Sequence, residues 1–562
     1  MSNEIKIKAK NGNMTPIVRR AIESAEENTV LMFEAAEYHF YGADCYEGEF
    51  YPSNNKSGRK RVIFPILGKK GLTIEGNGAR FIFHERVFPF IVQNSERITL
   101  RAFSVDFEFP RNYQAVVVNS TEEYLDFYID KKRFPYSIRG GNMICHAEGG
   151  DVTSRDYKFF LSDYDKDVEE GTTIASIMIG DCTMDPENFP ADGLKTDALE
   201  LGGGIVRFLY RKNSPRLRYY EGHRIVVHYD EDRENDTFFL DDSRDVAFEN
   251  VSIYRGPGMG IIAQLTENIS LKGLRIGCKD GRDDLISTTA DALHFVNCSG
   301  KVTLKNSYVA HSLDDAWNLH GVYTHIEASG DKRLLVRLGH REQSGFNPYK
   351  KGDVVEVIDG KTLEIKAKFT IASAVLTEDF KHISIEAAEK ISSCVKENDY
   401  LENPGRMPEV EMTDNEIFKC PSILISTSKR VYFARNKIHT RCAGLRITDS
   451  PKLWYESGRS RDVTVENNDF IHCGEGYDEY MIRIAEYSEH EENAIVHKNI
   501  KIAGNRFTGK NAKLLSVSCA ENVEFSGNTY RRARAVKGER EACPFSVEDS
   551  RNIRFFENDL EL

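Results

Sequence analysis

Three aspartates, Asp291, Asp314 and Asp315, are the residues whose type and spacing suggest catalytic chemistry. Asp291 and Asp314 are 23 positions apart, and Asp315 follows directly. When carboxylates lie close together, each raises the pKa of its neighbours, so that one holds a proton near neutral pH while another stays ionised. General acid and base catalysis of glycoside hydrolysis requires such a pair. The fold must therefore bring positions 23 residues apart side by side.

A repeat in the sequence predicts such a fold. Short phrases with an Asn or Gly at a central bend recur nine times, and apolar residues alternate on each side of the bend, as Val463 and Val465 precede it and Phe470 follows it. Where nothing is inserted, the phrases start 23, 33, 32, 37, 23 and 30 residues apart, which is typical of one coil of a solenoid. The phrases occupy 97–107, 245–255, 268–278, 301–311, 430–440, 462–472, 499–509, 522–532 and 552–562.

A third short apolar strand precedes many of these phrases, so that each coil has three strands. These strands are predicted at 260–264, 292–296, 444–448, 481–485, 514–518 and 544–548. Coils that stack at about 4.8 Å, with every strand paired to its copy above and below, form a right-handed parallel β-helix. The recurrent Asn has two interpretations, either an inward ladder of amides or a turn residue in the left-handed conformation.

The remaining segments predict a cap and two insertions in this all-β fold. Thr15 and Pro16 are predicted as the N-cap and first residue of a short amphipathic helix that closes the solenoid core. Two stretches have period-2 strands without the repeated phrase, and we predict that they are small β-barrel-like insertions. The predicted order is a cap with the first coils at 1–111, an insertion at 112–240, catalytic coils at 241–324, a second insertion at 325–415 and C-terminal coils at 416–562.

Aligning two coils places residues 291–294 beside residues 315–318, one coil step of about 4.8 Å apart. The three aspartates then meet at one strand edge. Like charges so close destabilise a fold, which favours a functional reason for them. The alternative is a set of solvated turn aspartates, the interpretation we adopt for Asp283 and Asp284.

Several other residues are candidates for binding substrate. Trp317 could stack on the apolar face of a sugar, although packing inside the coil is the alternative. His294 and His320 are spaced neither as a metal cluster nor as a catalytic triad, which favours hydrogen-bonding or structural roles. Candidates on later coils, each alternatively structural, are Arg446, Trp454, Glu475 and Tyr477.

Composition limits the partners. The formal charge is −13 and no long Lys/Arg run is present, so we expect no nucleic acid partner, and a neutral sugar suits the chain better than a polyanion. The eleven cysteines form no CxxC pair, which argues against a zinc site or a disulfide framework. No signal-peptide core or long apolar run is present, so we expect no membrane partner and a cytoplasmic chain, unless a leader for secretion was removed. The long solenoid face offers area for a homodimer.

The run TADALHFVNCSGKVTLKNSYVAHSLDDAWNLHG at 289–321 resembles the core signature of glycoside hydrolase family 110. This family comprises bacterial α-1,3-galactosidases, including enzymes that cleave the blood group B antigen. Segments 87–110 and 124–138 extend the resemblance over most of the chain. It implies a β-helix with β-barrel insertions, removal of terminal α-1,3-linked galactose with inversion of the anomeric centre, and no metal or other cofactor. The family's three implicated aspartates match Asp291, Asp314 and Asp315.

We assign Asp314 as the general acid and the other two aspartates to the activation of water. Inverting enzymes typically hold the two carboxyls about 6.5–9.5 Å apart, which one coil step plus side-chain reach is expected to span. Three other classes of protein remain as alternatives. A polygalacturonase-like hydrolase would need basic residues for uronates, a tailspike-like binding protein would need none of the aspartates, and a polysaccharide lyase would need a Ca²⁺ site with a Lys or Arg base.

Overall fold

The predicted parallel β-helix is present in a computed structural model of the chain. The structure describes residues 3–110, 112–148, 150–153, 159–163, 175–179, 197–209, 221–229, 234–475, 479–486, 494–510, 512–533 and 543–561. Strands pair in parallel with their copies one coil away, as Val431 pairs with Val463 and Val463 with Ile500. The repeat therefore corresponds to one coil, as predicted.

Two sheets form the walls of the solenoid. Twenty-three described strands, mainly the two halves of each repeated phrase, form the first sheet: Asn3–Ile7, Thr29–Phe33, Glu37–Phe40, Thr73–Phe83, Glu96–Phe107, Arg244–Glu249, Ser252–Ile253, Glu267–Lys272, Arg275–Ile276, Ser299–Lys305, Tyr308–Ala310, Glu409–Thr413, Glu416–Cys420, Val431–Ala434, Lys437–Thr440, Arg461–Glu466, Asp469–Ile471, His497–Ala503, Arg506–Gly509, Ala520–Ser526, Thr529–Arg532, Arg551–Phe556 and Asp559–Leu560.

The second sheet contains the third strand of each coil and carries the candidate site. Its thirteen described strands are Tyr46–Phe50, Gly58–Leu67, Phe88–Gln93, Phe238–Asp241, Ile261–Gln264, Leu293–Val296, Trp317–Val322, Ile423–Ile425, Leu445–Asp449, Glu456–Ser457, Ile482–Glu486, Leu515–Ser518 and Phe545–Glu548. Alternate residues face the core, and Leu293, Phe295 and Leu319 are fully buried there. Burial of each such side chain contributes about 1.5–3 kcal/mol.

Each of the two interpretations of the recurrent Asn is correct for one of two adjacent residues at the bend. At one bend, Asn467 has a φ of 56°, the left-handed conformation that Asn tolerates. The next residue, Asn468, is buried, accepts a hydrogen bond from the amide of Asn436 at 3.0 Å and donates to Asn505 at 2.9 Å. The ladder continues through Asn415, Asn436, Asn468, Asn505, Asn528 and Asn558. Each amide satisfies the next, so a polar group is tolerated inside every coil.

The predicted N-terminal helix spans Thr15–Ser24, with Val18, Ala21 and Ile22 buried. The N-cap is Met14 rather than the predicted Thr15, because the Thr15 hydroxyl instead donates to the Tyr41 carbonyl at 2.8 Å. The helix contacts the strands Asn3–Ile7 and Gly58–Leu67. Nowhere in the described ranges is a helix long and apolar enough to cross a membrane.

The first group of inserted strands forms two antiparallel sheets. Seven described strands build the larger sheet and three the smaller: Tyr113–Ser120, Tyr124–Tyr128, Phe159–Asp163, Ala175–Ile179, Asp197–Gly202, Ile205–Leu209 and Arg224–Tyr229, then Tyr136–Arg139, Asn142–Ala147 and Gly150–Thr153. Their buried core is separate from that of the solenoid.

The second group of inserted strands forms a closed barrel of six strands, Thr324–Ser329, Arg333–Leu338, Val354–Ile358, Ile365–Leu376, His382–Ala387 and Tyr400–Glu402. Two 3-10 helices, Arg341–Gln343 and Pro404–Arg406, flank barrel strands, and the solenoid resumes at Glu409.

Candidate active site

Strand register brings the three aspartates together. His294 pairs with Asn318 in parallel, as the alignment of the two coils predicted. Just before these strands, the Ala292 amide donates to the Asp315 carbonyl at 2.8 Å. This bond fixes Asp291 one coil from Asp314 and Asp315. One carboxylate oxygen from each of the three lies within 4.8 Å of the others.

The cluster is suited to hold a proton. Asp291 is 4% exposed, and the other two aspartates are partly exposed. Burial, and then the neighbouring charges of Asp314 and Asp291, raise the pKa of Asp315 well above its usual range, although Arg446 opposes this. Asp315 is therefore suited to hold a proton beside the carboxylates of Asp314 and Asp291. We call Asp314 and Asp315 the aspartate pair.

A hydrogen-bonded chain of imidazoles lies behind Asp291. His294 Nδ1 is 2.5 Å from Asp291 Oδ2, and His294 Nε2 is 3.2 Å from His320 Nε2. His320 Nδ1 donates to the Gly321 carbonyl at 2.6 Å, since a carbonyl can only accept. On its cavity side, His320 Nε2 lies 3.6 Å from Glu456 Oε1.

The aspartates line a cavity of about 330 Å³. Its charged lining consists of Asp291, Asp314, Asp315, Glu456, His294, Arg441 and Arg446, and its other lining residues are Asn54, Asn318, Ser450, Met259, Pro421, Leu424, Cys442, Leu453 and Trp454. The lining thus contains four carboxyl groups and two guanidiniums. Polar and apolar residues line the same cavity, as in many ligand sites.

Two walls of the cavity come from segments far away in the sequence. The loop at residues 51–57 carries Asn54, and residues 450–456 carry Trp454. The barrel supports both, because the Asn54 amide donates to the Glu342 carbonyl at 3.0 Å and the His340 ring packs 5.1 Å from that of Trp454. The barrel thus sets the positions of the walls.

A buried ion network joins the barrel to the solenoid directly after the second wall. The Arg459 side chain is 4% exposed and binds the carboxylates of Glu356 and Glu402, which lie on barrel strands. The Arg459 amide donates to Asp449 at 3.0 Å, and Tyr323 donates to the same carboxylate at 2.7 Å. These bonds hold both ends of the segment that carries Trp454.

The first insertion contacts the loop that leads to Asp291, and here one interpretation needs correction. Asp284 was expected to be a solvated turn residue, but its side chain is 2% exposed and binds the guanidiniums of Arg133, Arg255 and Arg282. Burial alone would raise the pKa of Asp284, but Arg255 and Arg282 hold it below its usual value. Since Arg133 belongs to the insertion, this cluster fixes the insertion against the catalytic coil.

Some of the candidate binding residues line the cavity and others do not. Arg446 lines the cavity, where its guanidinium binds Glu479 at 2.8 Å. His294 also lines the cavity, although its side chain is only 2% exposed. The expectation that His320 contacts substrate is not supported, because it lies behind His294 and outside the cavity lining.

The suggestion that Trp317 stacks on a sugar is wrong in this structure. Its side chain is fully buried in the solenoid core, with its ring 4.5 Å from that of Phe295. The alternation along the strand explains this, because Trp317 and Leu319 face inward while Asn318 faces the cavity.

Of the remaining candidates, Trp454 lines the cavity and Glu475 does not, since it binds His472 at 3.0 Å and the Lys510 amide at 2.6 Å. Tyr477 lies outside the described residues. Sequence reasoning missed Asn54, Arg441 and Glu456 as lining residues. No local pattern marks them, because only the folded chain brings them to the second sheet.

The three carboxylates are also close enough to contact a single cation. However, three oxygens are fewer than the six to eight that Ca²⁺ takes, and Asp291 Oδ2 is already hydrogen-bonded to His294. We therefore interpret the cluster as a site that shares protons.

Comparison with known proteins agrees with the resemblance to glycoside hydrolase family 110. The chain is 28% identical to a protein named alpha-1,3-galactosidase A from Shewanella woodyi, over 97% of this chain and 88% of that protein. It is 27% identical to one named alpha-1,3-galactosidase B from Bacteroides thetaiotaomicron, over 92% of this chain and 84% of that protein. Residues 333–401 match a family model described as GLAA-B beta-barrel domain II, which covers most of the six-stranded barrel.

Among solved structures, the chain is similar to the family 28 exopolygalacturonase of Yersinia enterocolitica. The sequence identity is 10% and the TM-score 0.39, over all of this chain and 78% of that one.

Proposed function

We propose that this chain is an exo-acting α-1,3-galactosidase that removes terminal galactose from oligosaccharides with inversion of the anomeric centre. The observation that carries the proposal is a cluster of three carboxylates lining a cavity, in a chain whose relatives bear the name alpha-1,3-galactosidase. The aspartate pair and Asp291 supply the two functions that glycoside hydrolysis needs.

The aspartate pair acts as the general acid. Asp315 holds the proton, because burial and the neighbouring charges of Asp314 and Asp291 raise its pKa well above the usual value. That proton passes to the glycosidic oxygen as the bond to the anomeric carbon breaks. Asp314 alone was expected from the sequence to be the acid, whereas the raised pKa of Asp315 supports the pair.

Asp291 acts as the general base. The hydrogen bond from His294 holds Asp291 Oδ2, and Asp291 Oδ1 is the oxygen that accepts a proton from water. Removal of one of these acid or base groups commonly costs about 10²–10⁴-fold in rate.

The cavity favours a short, neutral sugar at its end. Its volume of about 330 Å³ is near the lower limit of ligand pockets, which run from about 300 to 1,000 Å³. A uronate needs basic partners, and of the two guanidiniums in the lining that of Arg446 is already paired with Glu479, which argues against a polygalacturonase-like activity. We place the galactose over the aspartates and the next sugar against Leu453, which is 46% exposed, and Trp454.

Inversion rests on the resemblance to family 110. The carboxylate spacing does not carry it, because one oxygen of each carboxyl lies within 4.8 Å of the others, below the range of about 6.5–9.5 Å that is typical of inverting enzymes. A direct measurement of stereochemistry is therefore the appropriate test.

The experiment compares hydrolysis of galactose disaccharides with α-1,3, α-1,4 and α-1,6 linkages, and of an α-galacturonide, by the wild type and by Asp314→Asn. We expect preference for the α-1,3 linkage and a loss of about 10²–10⁴-fold in the variant. Proton NMR early in the reaction should show β-galactose as the first product. No hydrolysis of any α-galactoside by the wild type would refute the activity, and α-galactose as first product would refute inversion alone.

A further inference from the structure

The two imidazoles behind Asp291 form a continuous path for protons. The side chains of His294 and His320 are 2% and 0% exposed, so that water does not compete for their nitrogens. The path runs from Asp291 through the ring of His294 and ends at His320 Nε2, and the carboxylate of Glu456 lies 3.6 Å from that same nitrogen. Asn318 holds this carboxylate in place by donating to Glu456 Oε1 at 3.1 Å.

The hydrogen bonds define which atoms of Asp291, His294 and His320 carry protons before the reaction. His320 Nδ1 carries a proton because it donates to a carbonyl, and burial favours the neutral form of this ring by lowering its pKa. His320 Nε2 must then accept from His294 Nε2. One further proton lies between His294 Nδ1 and Asp291 Oδ2, so that the Asp291–His294 pair is neutral overall. This neutrality also explains how Asp291 is tolerated beside the aspartate pair.

We propose that His294 and His320 relay protons for Asp291, so that the proton taken from the attacking water is balanced by transfer of positive charge to the side of Glu456. The inference rests on the proposed function, in which Asp291 is the base. His294 and His320 are therefore positioning residues that act through Asp291 and do not contact the sugar.

The step is balanced in atoms and charge. As the water oxygen bonds to the anomeric carbon, one proton moves from water to Asp291 Oδ1 and one moves from His294 Nε2 to His320 Nε2. The bond to the leaving oxygen breaks, and that oxygen takes the proton of the aspartate pair. After the product leaves, His320 returns its proton to His294, and the proton on Asp291 replaces the one that the aspartate pair has lost.

The charged groups around the relay fit this direction of transfer. They are Asp314 and Asp315 beside Asp291, Glu456 and Asp449 near His320, and Arg446 near Asp315. The carboxylates near His320 stabilise a positive charge there while Asp291 is protonated, which keeps each part of the site close to neutral.

His497 provides a matched comparison within the same chain. It is also fully buried on a solenoid strand, but among the described residues its Nε2 bonds to the Ala485 carbonyl alone, at 3.2 Å, and its Nδ1 has no hydrogen-bond partner. Replacing His497 with Gln therefore measures what the loss of a buried histidine does to stability without breaking the relay.

The test compares His294→Gln and His320→Gln with His497→Gln. Glutamine keeps hydrogen-bonding groups but cannot bind and release a proton as an imidazole does. We expect kcat to fall about 10²-fold in both relay variants, near the lower limit for general acid–base effects, with KM unchanged. The loss should be equal for a disaccharide and for an aryl galactoside with an acidic leaving group, because the base side of the reaction is affected. The acid limb of the kcat/KM profile should move to higher pH in His294→Gln.

Two results would overturn the relay while the wild type remains active. These are an unchanged kcat in His320→Gln, or a loss that an acidic leaving group restores. Because His320 does not contact Asp291, the His320→Gln variant still tests the relay if His294→Gln does not fold. If the wild type itself is inactive, proton NMR still tests whether Asp291 and His294 share a proton. The relay predicts a strongly downfield resonance that disappears in both His294→Gln and Asp291→Asn and persists in His497→Gln, and its absence from the wild type would refute the shared proton.

Discussion

Replacing Asp315 with Asn should remove activity and, above acidic pH, stabilise the folded chain. Oxygens of Asp315, Asp314 and Asp291 lie within 4.8 Å of one another. Two unit charges at that separation repel each other by about 3.5 kcal/mol at an effective dielectric constant of 20. The gain in stability from one pair is smaller than the repulsion between its charges, because the wild type relieves the repulsion by binding a proton.

The stability gained by Asp315→Asn should increase with pH. Burial and the neighbouring carboxylates raise the pKa of Asp315 in the folded state above the value of about 3.9 in the unfolded chain. Such a group favours folding below the unfolded pKa, and this contribution is lost as the pH rises through the folded pKa. Because Asn does not ionise, the variant keeps this contribution to stability at every pH. The Tm difference between Asp315→Asn and the wild type should therefore be near zero at about pH 4 and increase with pH.

The assay is thermal unfolding of both proteins at several pH values from acidic to mildly alkaline, with disaccharide hydrolysis measured on the same samples. We expect a gain of a few degrees at most, since the Tm shift per kcal/mol is only about 2–4 °C at 150–250 residues and falls with chain length. Asp280→Asn is the control, because the Asp280 side chain is 96% exposed. A Tm difference that does not change with pH, or a less stable variant at alkaline pH, would show that the cluster does not hold an elevated proton affinity.

Three further predictions concern the core, the ladder and the rim of the cavity. Trp317→Ala should lower the free energy of unfolding by about 3–5 kcal/mol and leave KM unchanged, and a raised KM would restore a role in substrate binding. Asn468→Ala should break the ladder between Asn436 and Asn505 at a cost of about 1–3 kcal/mol, measured by denaturant unfolding, and an unchanged midpoint would contradict this. Trp454→Ala should raise KM for the disaccharide about 2- to 10-fold with little effect on kcat, and an unchanged KM would remove Trp454 from the sugar site.

The periodic features of the sequence were sufficient to predict the solenoid. The coil length and the alternation of apolar residues identified its strands, because parallel pairing repeats the same contacts in every coil. The same periodicity placed Asp291 beside Asp315, one coil step away, and the pairing of His294 with Asn318 confirms the alignment. The alternation also contained the signal that Trp317 faces the core, since it shares a face with Leu319.

Contacts between distant segments were not predictable in this way. Asn54 reaches the cavity from a loop more than 200 residues before the aspartates, and a loop of the barrel holds it in place. Asp284 resembled a solvated turn residue until the first insertion supplied Arg133. Neither residue lies in a repeated phrase, so no periodicity marks its partners.

The sequence by itself determined the stack of coils, the inward ladder of Asn side chains as one of two interpretations, and the membership of the aspartate cluster. These features depend on local alternation and on a constant repeat length, both of which are properties of the linear chain. Only the tertiary structure decided the cavity walls, the hydrogen-bonded chain from Asp291 through His294 to His320, and the raised pKa of Asp315. These features depend on burial and on charges brought together across the chain, which neither residue type nor spacing specifies.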